Sequence, residues 1–186
     1  MRKSTALLIL VGLLVVGTGR AADWTLDDAE SRLEFVADYT GSEISGQFRR
    51  FGVEFDFDAD APAAGRLAVS VDMLSADMGE DDMTDAVTGT AWLDAQAFAT
   101  ATFTSARIKQ HADGEFAAHG TLDLKGIVRD VTVPFVWAAD GDRATMRGTV
   151  VLQRLEFGVG TGTWAATDEV ADDVRVVFDL ALQKSD

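Results

Sequence analysis

Three groups of residues in this sequence have the types and spacing from which chemistry could be built. Gly158-Val159-Gly160-Thr161-Gly162 has the density of a phosphate-cradling loop, but Thr163 stands where a dinucleotide fingerprint needs its third glycine. The strand-to-helix context of that fingerprint is missing as well, so these glycines read as turn residues. Asp56, Asp58 and Asp60 alternate like the opening ligands of a calcium loop. Ala61 then replaces the glycine and Leu67 the closing glutamate, which leaves solvent-facing acids near a strand end. His111 and His119 are the only histidines, and His119 falls on the outward parity of its strand with His111 across the same hairpin. Two imidazoles are too few for a closed metal site, and they read as surface residues. No serine sits in a nucleophile elbow, and no nucleophile–base pair is visible. Basic residues do not interleave with the aromatics, which leaves nucleic-acid binding without support. The chain therefore reads as a binding protein and not an enzyme, with no catalytic residue and no metal.

What remains is apolar periodicity. From Phe51 onward, Phe51, Val53, Phe55 and Phe57 alternate with Gly52, Glu54, Asp56 and Asp58, the period of a strand with one dry face. Ile44, Gly46 and Phe48 lie on the other parity, so the phase changes across Arg49-Arg50 and predicts a bulge or bend there. The same alternation recurs through Leu33–Tyr39, Leu67–Met73, Ala101 and Phe103, Phe116–Leu124, Val131–Trp137, Ala144–Leu152 and Val174–Leu182. Eight strands are expected, at 32–40, 44–58, 66–74, 99–109, 115–124, 128–138, 143–155 and 173–183. Thr40-Gly41-Ser42, Asp113-Gly114, Lys125-Gly126 and Asp140-Gly141-Asp142 supply the turns between them. Glu80–Thr88 alone lacks alternation. Asp81 and Asp82 suit a helix N-terminus and Gly89 a left-handed C-terminal cap, so a short helix is placed over one mouth.

Tight hairpins without helical crossovers imply an all-β fold, an eight-stranded antiparallel barrel with one short helix at a mouth. A barrel of eight strands is either just filled by side chains or holds one small ligand. The inward list contains Ala37, Ala101, Ala118, Gly120, Ala144 and Gly148. Such small residues fit barrel taper and room for a guest equally well.

The first residues read differently. Arg2-Lys3, the apolar run Ala6–Val16 and the small-residue end through Ala21 form a secretory signal peptide, too short for a membrane span. Residues 1–21 are expected to be removed, leaving 22–186 as one domain that is not an integral membrane protein. The segment carries Arg2, Lys3 and Arg20 and no acid, so its loss takes the net charge from −15 to −18. That surface repels nucleic acid and anionic membranes. With no cysteine, the domain must be held by its core alone.

In order along the chain stand Gly46-Gln47-Phe48-Arg49-Arg50-Phe51 with Phe55-Asp56, Val71-Asp72, and Ser75-Ala76-Asp77-Met78-Gly79. Trp92-Leu93-Asp94, Ala101–Ser105, Gly120–Gly126 with Arg129, and Arg154–Gly158 follow. This order resembles the YceI family of exported polyisoprenoid-binding proteins, from Trp24 to the last strand. The resemblance implies a lipocalin-like barrel in the periplasm that holds a long isoprenoid chain, such as a quinone or polyprenyl lipid, and no covalent cofactor. Tyr39 departs from a common histidine, Val128 from a threonine and Ala99 from a proline. Phe157–Trp164 resembles a subgroup associated with cytochrome b561-type membrane proteins, which makes a role as accessory to membrane electron transfer the alternative. Against such a chain we expect Phe35, Tyr39, Phe48, Phe51, Phe55, Val71, Met73, Phe103 and Phe135, with Trp92 and Phe98 at the mouth. Tyr39, ending an apolar face with a hydroxyl, is the expected polar contact.

Overall fold

The computed structural model describes residues 22–112 and 114–185. The expected signal peptide, 1–21, lies outside them. The strands are β1 (Ala22–Leu26), β2 (Arg32–Tyr39), β3 (Ser42–Phe48), β4 (Phe51–Phe57), β5 (Arg66–Asp72), β6 (Ala76–Asp77), β7 (Thr100–Ala112), β8 (Glu115–Leu124), β9 (Ile127–Asp140), β10 (Arg143–Gln153) and β11 (Val170–Lys184), with the helix α1 (Asp81–Thr88). All pairings are antiparallel, and β1 closes the sheet by pairing with both β4 and β11.

These strands make eight staves of one closed barrel. β2 pairs with β11 from Asp179 to Val170, and β1 takes over the same edge at Leu182–Lys184. The next stave is broken in the same way: β3 pairs with β2, and β4 with β1. The break falls at Arg49-Arg50, where the change of phase places it. Ser75 pins it. The backbone N–H of Arg50 donates to Ser75 Oγ at 3.0 Å, and Arg49 N–H to the Ser75 carbonyl at 3.0 Å. Ser75 Oγ in turn donates to the Asp72 carbonyl at 2.6 Å. Outside, Arg49 pairs with Asp77 and Arg50 with Asp72.

Local chemistry sets the connections. Thr40-Gly41 and Lys125-Gly126 have positive φ at both positions, the two-residue turn whose twist matches a hairpin. Two expectations are corrected. β1 is absent from the expected strands, because five residues with only Trp24 buried show no period. Gly89 leaves the helix extended, at φ −70° and ψ 171°, and not left-handed. Its carbonyl instead accepts the N–H groups of Trp92 and Asp94, so the chain turns sharply under the helix.

The inward side chains divide the barrel into two parts. At one end Trp24, Phe55, Phe57, Phe116, Phe135 and Trp137 are all buried and form an aromatic block. Phe55 stacks on Phe57 at 4.8 Å, Phe57 meets Phe116 edge-on at 5.1 Å, and Trp24 meets Trp137 at 5.0 Å. Trp24 Nε1 donates to the Phe57 carbonyl at 3.1 Å, which satisfies that buried indole N–H. Toward the other end, the interior is hollow.

Candidate functional site: an apolar cavity under the helix

The hollow part is a cavity of about 510 Å³, within the range of sites that enclose small ligands. Its walls are almost wholly hydrocarbon. Alternation along each strand sends a new apolar side chain inward every second residue. β11 alone contributes Val170, Val174, Val176, Phe178 and Leu180. Helix α1 lies over the mouth with Met83, Ala86 and Val87 turned toward the cavity. Met83 is still 40% exposed, and so is Tyr39, which also borders the cavity.

Of the residues expected to meet a ligand, Phe35, Tyr39, Phe48, Phe51, Val71, Met73, Trp92 and Phe103 line this cavity. Three do not. Phe55 and Phe135 share the inward parity but lie deeper, packed 5.9 Å apart, edge to face, within the aromatic block. Phe98 sits outside the wall beside Gly126, where a Cβ would approach its ring at 3.0 Å. The small inward residues also divide. Ala37 and Ala101 line the cavity and leave it room. Ala118 and Ala144 accommodate the aromatic rings, while a Cβ on Gly120 or Gly148 would strike neighbouring backbone, and on Gly148 the Phe178 ring as well.

The polar element of the site is Arg154, only 2% exposed. It continues the inward parity of β10 past Leu152, into a turn of 3-10 helix at Arg154–Phe157. Five backbone carbonyls take its guanidinium protons: Ala171 on Nε, Val159 and Gly160 on Nη1, Trp164 and Val170 on Nη2, at 2.8–3.0 Å. Burial pulls its pKa below the ordinary guanidinium value, and the charge of Asp172 opposes that shift. The guanidinium carbon stands 5.5 Å from the centre of the Trp92 ring, which itself tilts against Trp164 at 5.6 Å. The glycine run has its explanation here. Gly158, Gly160 and Gly162 all have positive φ, and a Cβ at Gly160 would collide with Arg154 Nη1. Lys125 does similar work from the next turn, donating to the carbonyls of Thr90, Trp92 and Gly158 at 2.7–3.2 Å. The two cations bind the loops that frame the mouth. A basic residue at an inward position is the signal that would have marked Arg154 from the sequence.

The other candidate groups lie outside the barrel. His119 shares a 3.0 Å hydrogen bond between Nδ1 and Thr132 Oγ1, while its Nε2 is shielded and has no partner. Asp58 accepts the Asp60 N–H at 2.9 Å in a turn. Among the described residues, no group of three or more His, Asp or Glu side chains is placed to hold a metal ion. No helix of the described residues is long and apolar enough to cross a membrane.

The model of the YceI-like domain matches residues 24–182. A UPF0312 protein of Vibrio vulnificus (strain YJ016) is 31% identical over 169 residues, 86% of this chain and 89% of the relative. A UPF0312 protein of Shewanella sp. (strain W3-18-1) is 29% identical over 178 residues, 91% and 93% of the two chains. The crystal structure of Burkholderia cenocepacia BcnA matches with a TM-score of 0.82 at 33% identity, covering 84% of this chain and 98% of that one. A polyisoprenoid-binding domain from Saccharophagus degradans, implicated in plant cell wall breakdown, shares the fold with a TM-score of 0.67 at 16% identity, over 88% and 99% of the chains.

Proposed function

This chain belongs to the family of YceI-like domains, and we propose that it is an exported, periplasmic carrier that holds a long isoprenoid chain in its barrel. The observation that carries this reading is the cavity. Without a guest, this apolar wall must face either water or empty space, and both are unfavourable. A flexible hydrocarbon chain removes that cost and gains roughly 25 cal/mol for each Å² of apolar surface taken from water. The wall has almost no polar atom to orient a compact polar substrate. A chain with its polar end at the rim, near the Tyr39 hydroxyl, fits both the lining and the opening. Polyisoprenoid binding by the fold neighbour from Saccharophagus degradans supports the same class of ligand. The carrier needs no catalytic group.

Quinones and polyprenyl lipids both meet this description. The narrower reading, presentation of a quinone to a membrane cytochrome, rests on the resemblance of Phe157–Trp164 and is tested by isolating a stable complex from detergent-solubilised membranes. The carrier reading is tested by organic extraction and mass spectrometry of protein purified from the periplasm of its own host. A stoichiometric prenyl lipid is expected, on a protein whose mass begins at Ala22. Protein free of lipid, or lipid only of the ordinary acyl class, would overturn it.

A further inference from the structure

The cavity ends abruptly, and the residues that end it are identifiable strand by strand. On β4 the last inward residue against the cavity is Val53, and the next two are Phe55 and Phe57. On β9 it is Val133, followed by Phe135 and Trp137. On β10 and β11 Met146 and Leu180 still border the space, and Ala144 and Leu182 lie beyond it. On each of these four strands the boundary falls between two successive inward residues. Phe55 and Phe135 form the first solid layer, their rings edge to face at 5.9 Å. Phe57 and Trp137, 5.2 Å apart, follow on the same strands as the second layer and pack against the rings of the first.

We propose that the Phe55–Phe135 layer is a ruler that sets the length of isoprenoid chain the protein selects, an inference that rests on the carrier reading above. The polar end of a ligand has no partner in the hydrocarbon wall, so it stays at the rim and the tail points to the floor. The distance between rim and floor then defines one best length. A shorter chain leaves space unfilled. A longer one leaves carbon in water that its membrane or micelle source keeps dry, which weakens extraction from that source about fourfold for each methylene left out. Inward residues of one strand are two apart, and strands of a barrel are tilted, so one layer is about 5 Å deep along the axis. That depth is close to the length of one extended isoprene unit. The aromatic identity of the floor matters because large, mutually packed rings yield less to a tail end than aliphatic side chains would.

The test uses delipidated mature protein equilibrated with a mixture of linear polyprenols of graded length, with the bound species weighed by native mass spectrometry. The parent is expected to select a narrow band. The double variant Phe55→Ala/Phe135→Ala removes one layer, and the band moves to chains about one unit longer. Val133→Phe raises the floor without opening a void, and the band moves shorter by a similar step. Phe57→Ala removes an equally buried ring from the second layer and leaves the band where it was. Should the double variant not fold, Val133→Phe against Phe57→Ala still decides the matter. An unchanged band in folded Val133→Phe, or equal uptake of all lengths by the parent, would overturn the ruler while leaving the carrier reading intact. A parent that takes up no polyprenol of any length would overturn the carrier reading, and the ruler with it.

Discussion

Replacing Arg154 by Met would leave five carbonyls of the mouth loops facing a thioether. Removing one member of a buried charged network typically costs about 3–5 kcal/mol, and we expect Arg154→Met to fall in that range by urea unfolding. Arg154→Lys should recover only part of it, because an ammonium has three protons and no planar fork to reach carbonyls on several sides. A loss below about 1 kcal/mol, the ordinary range for surface substitutions, would mean that the loops are held elsewhere. His119 makes a second prediction. Burial first, then the charges of Arg107, Lys109 and His111, hold its imidazole below the ordinary value of 6.5. Between the folded and unfolded values the unfolded chain binds more protons, so stability falls as pH drops through 6.5 toward the folded value. His119→Gln should flatten that part of the stability–pH curve, measured as unfolding midpoints across mildly acidic buffers. An unaltered curve would show that the fold tolerates the charged ring.

The bend between β3 and β4 lets one stave serve two pairs of neighbours, and Ser75 is its fastening. Ser75→Ala would strand the Arg50 N–H and remove the donor to Asp72, at a cost of about 1–3 kcal/mol for buried groups left unpaired. The same loss from the half-buried Ser31, a control with comparable hydrogen bonds to Ala181, should be smaller. The bend was legible because Phe48 and Phe51 lie on opposite parities, and α1 because Glu80–Thr88 has no alternation at all. The end of α1 was not, since whether Gly89 turns left-handed or extended depends on the carbonyl acceptors that Trp92 and Asp94 find. For the site, parity identified which side chains point inward but not how deep they lie. Val53 and Phe55 look alike in the alternation of β4. The register against β1 sets Phe55 opposite Trp24, inside the aromatic block, while Val53 borders the cavity beyond the end of that pairing, and register is a property of the assembled sheet.

At the scale of the molecule, the barrel is half core and half container. The aromatic block supplies close packing in a chain that has no disulfide, and the hollow half gives up packing for capacity. Ala101 separates these two roles. It lines the cavity from β7, with Phe103 as the next inward residue on that strand, whereas Thr102 points outward. A tryptophan at 101 would enter the space assigned to the guest. In a solid interior the same change would overpack the core and cost about 1–3 kcal/mol or more. The deciding measurement is urea unfolding of delipidated Ala101→Trp beside its lipid content by mass spectrometry, with Thr102→Trp as the outward control. Ala101→Trp is expected to keep the stability of the delipidated parent and lose the copurified lipid, while Thr102→Trp keeps both. Marked destabilisation of Ala101→Trp, together with a parent that carries no lipid, would contradict it.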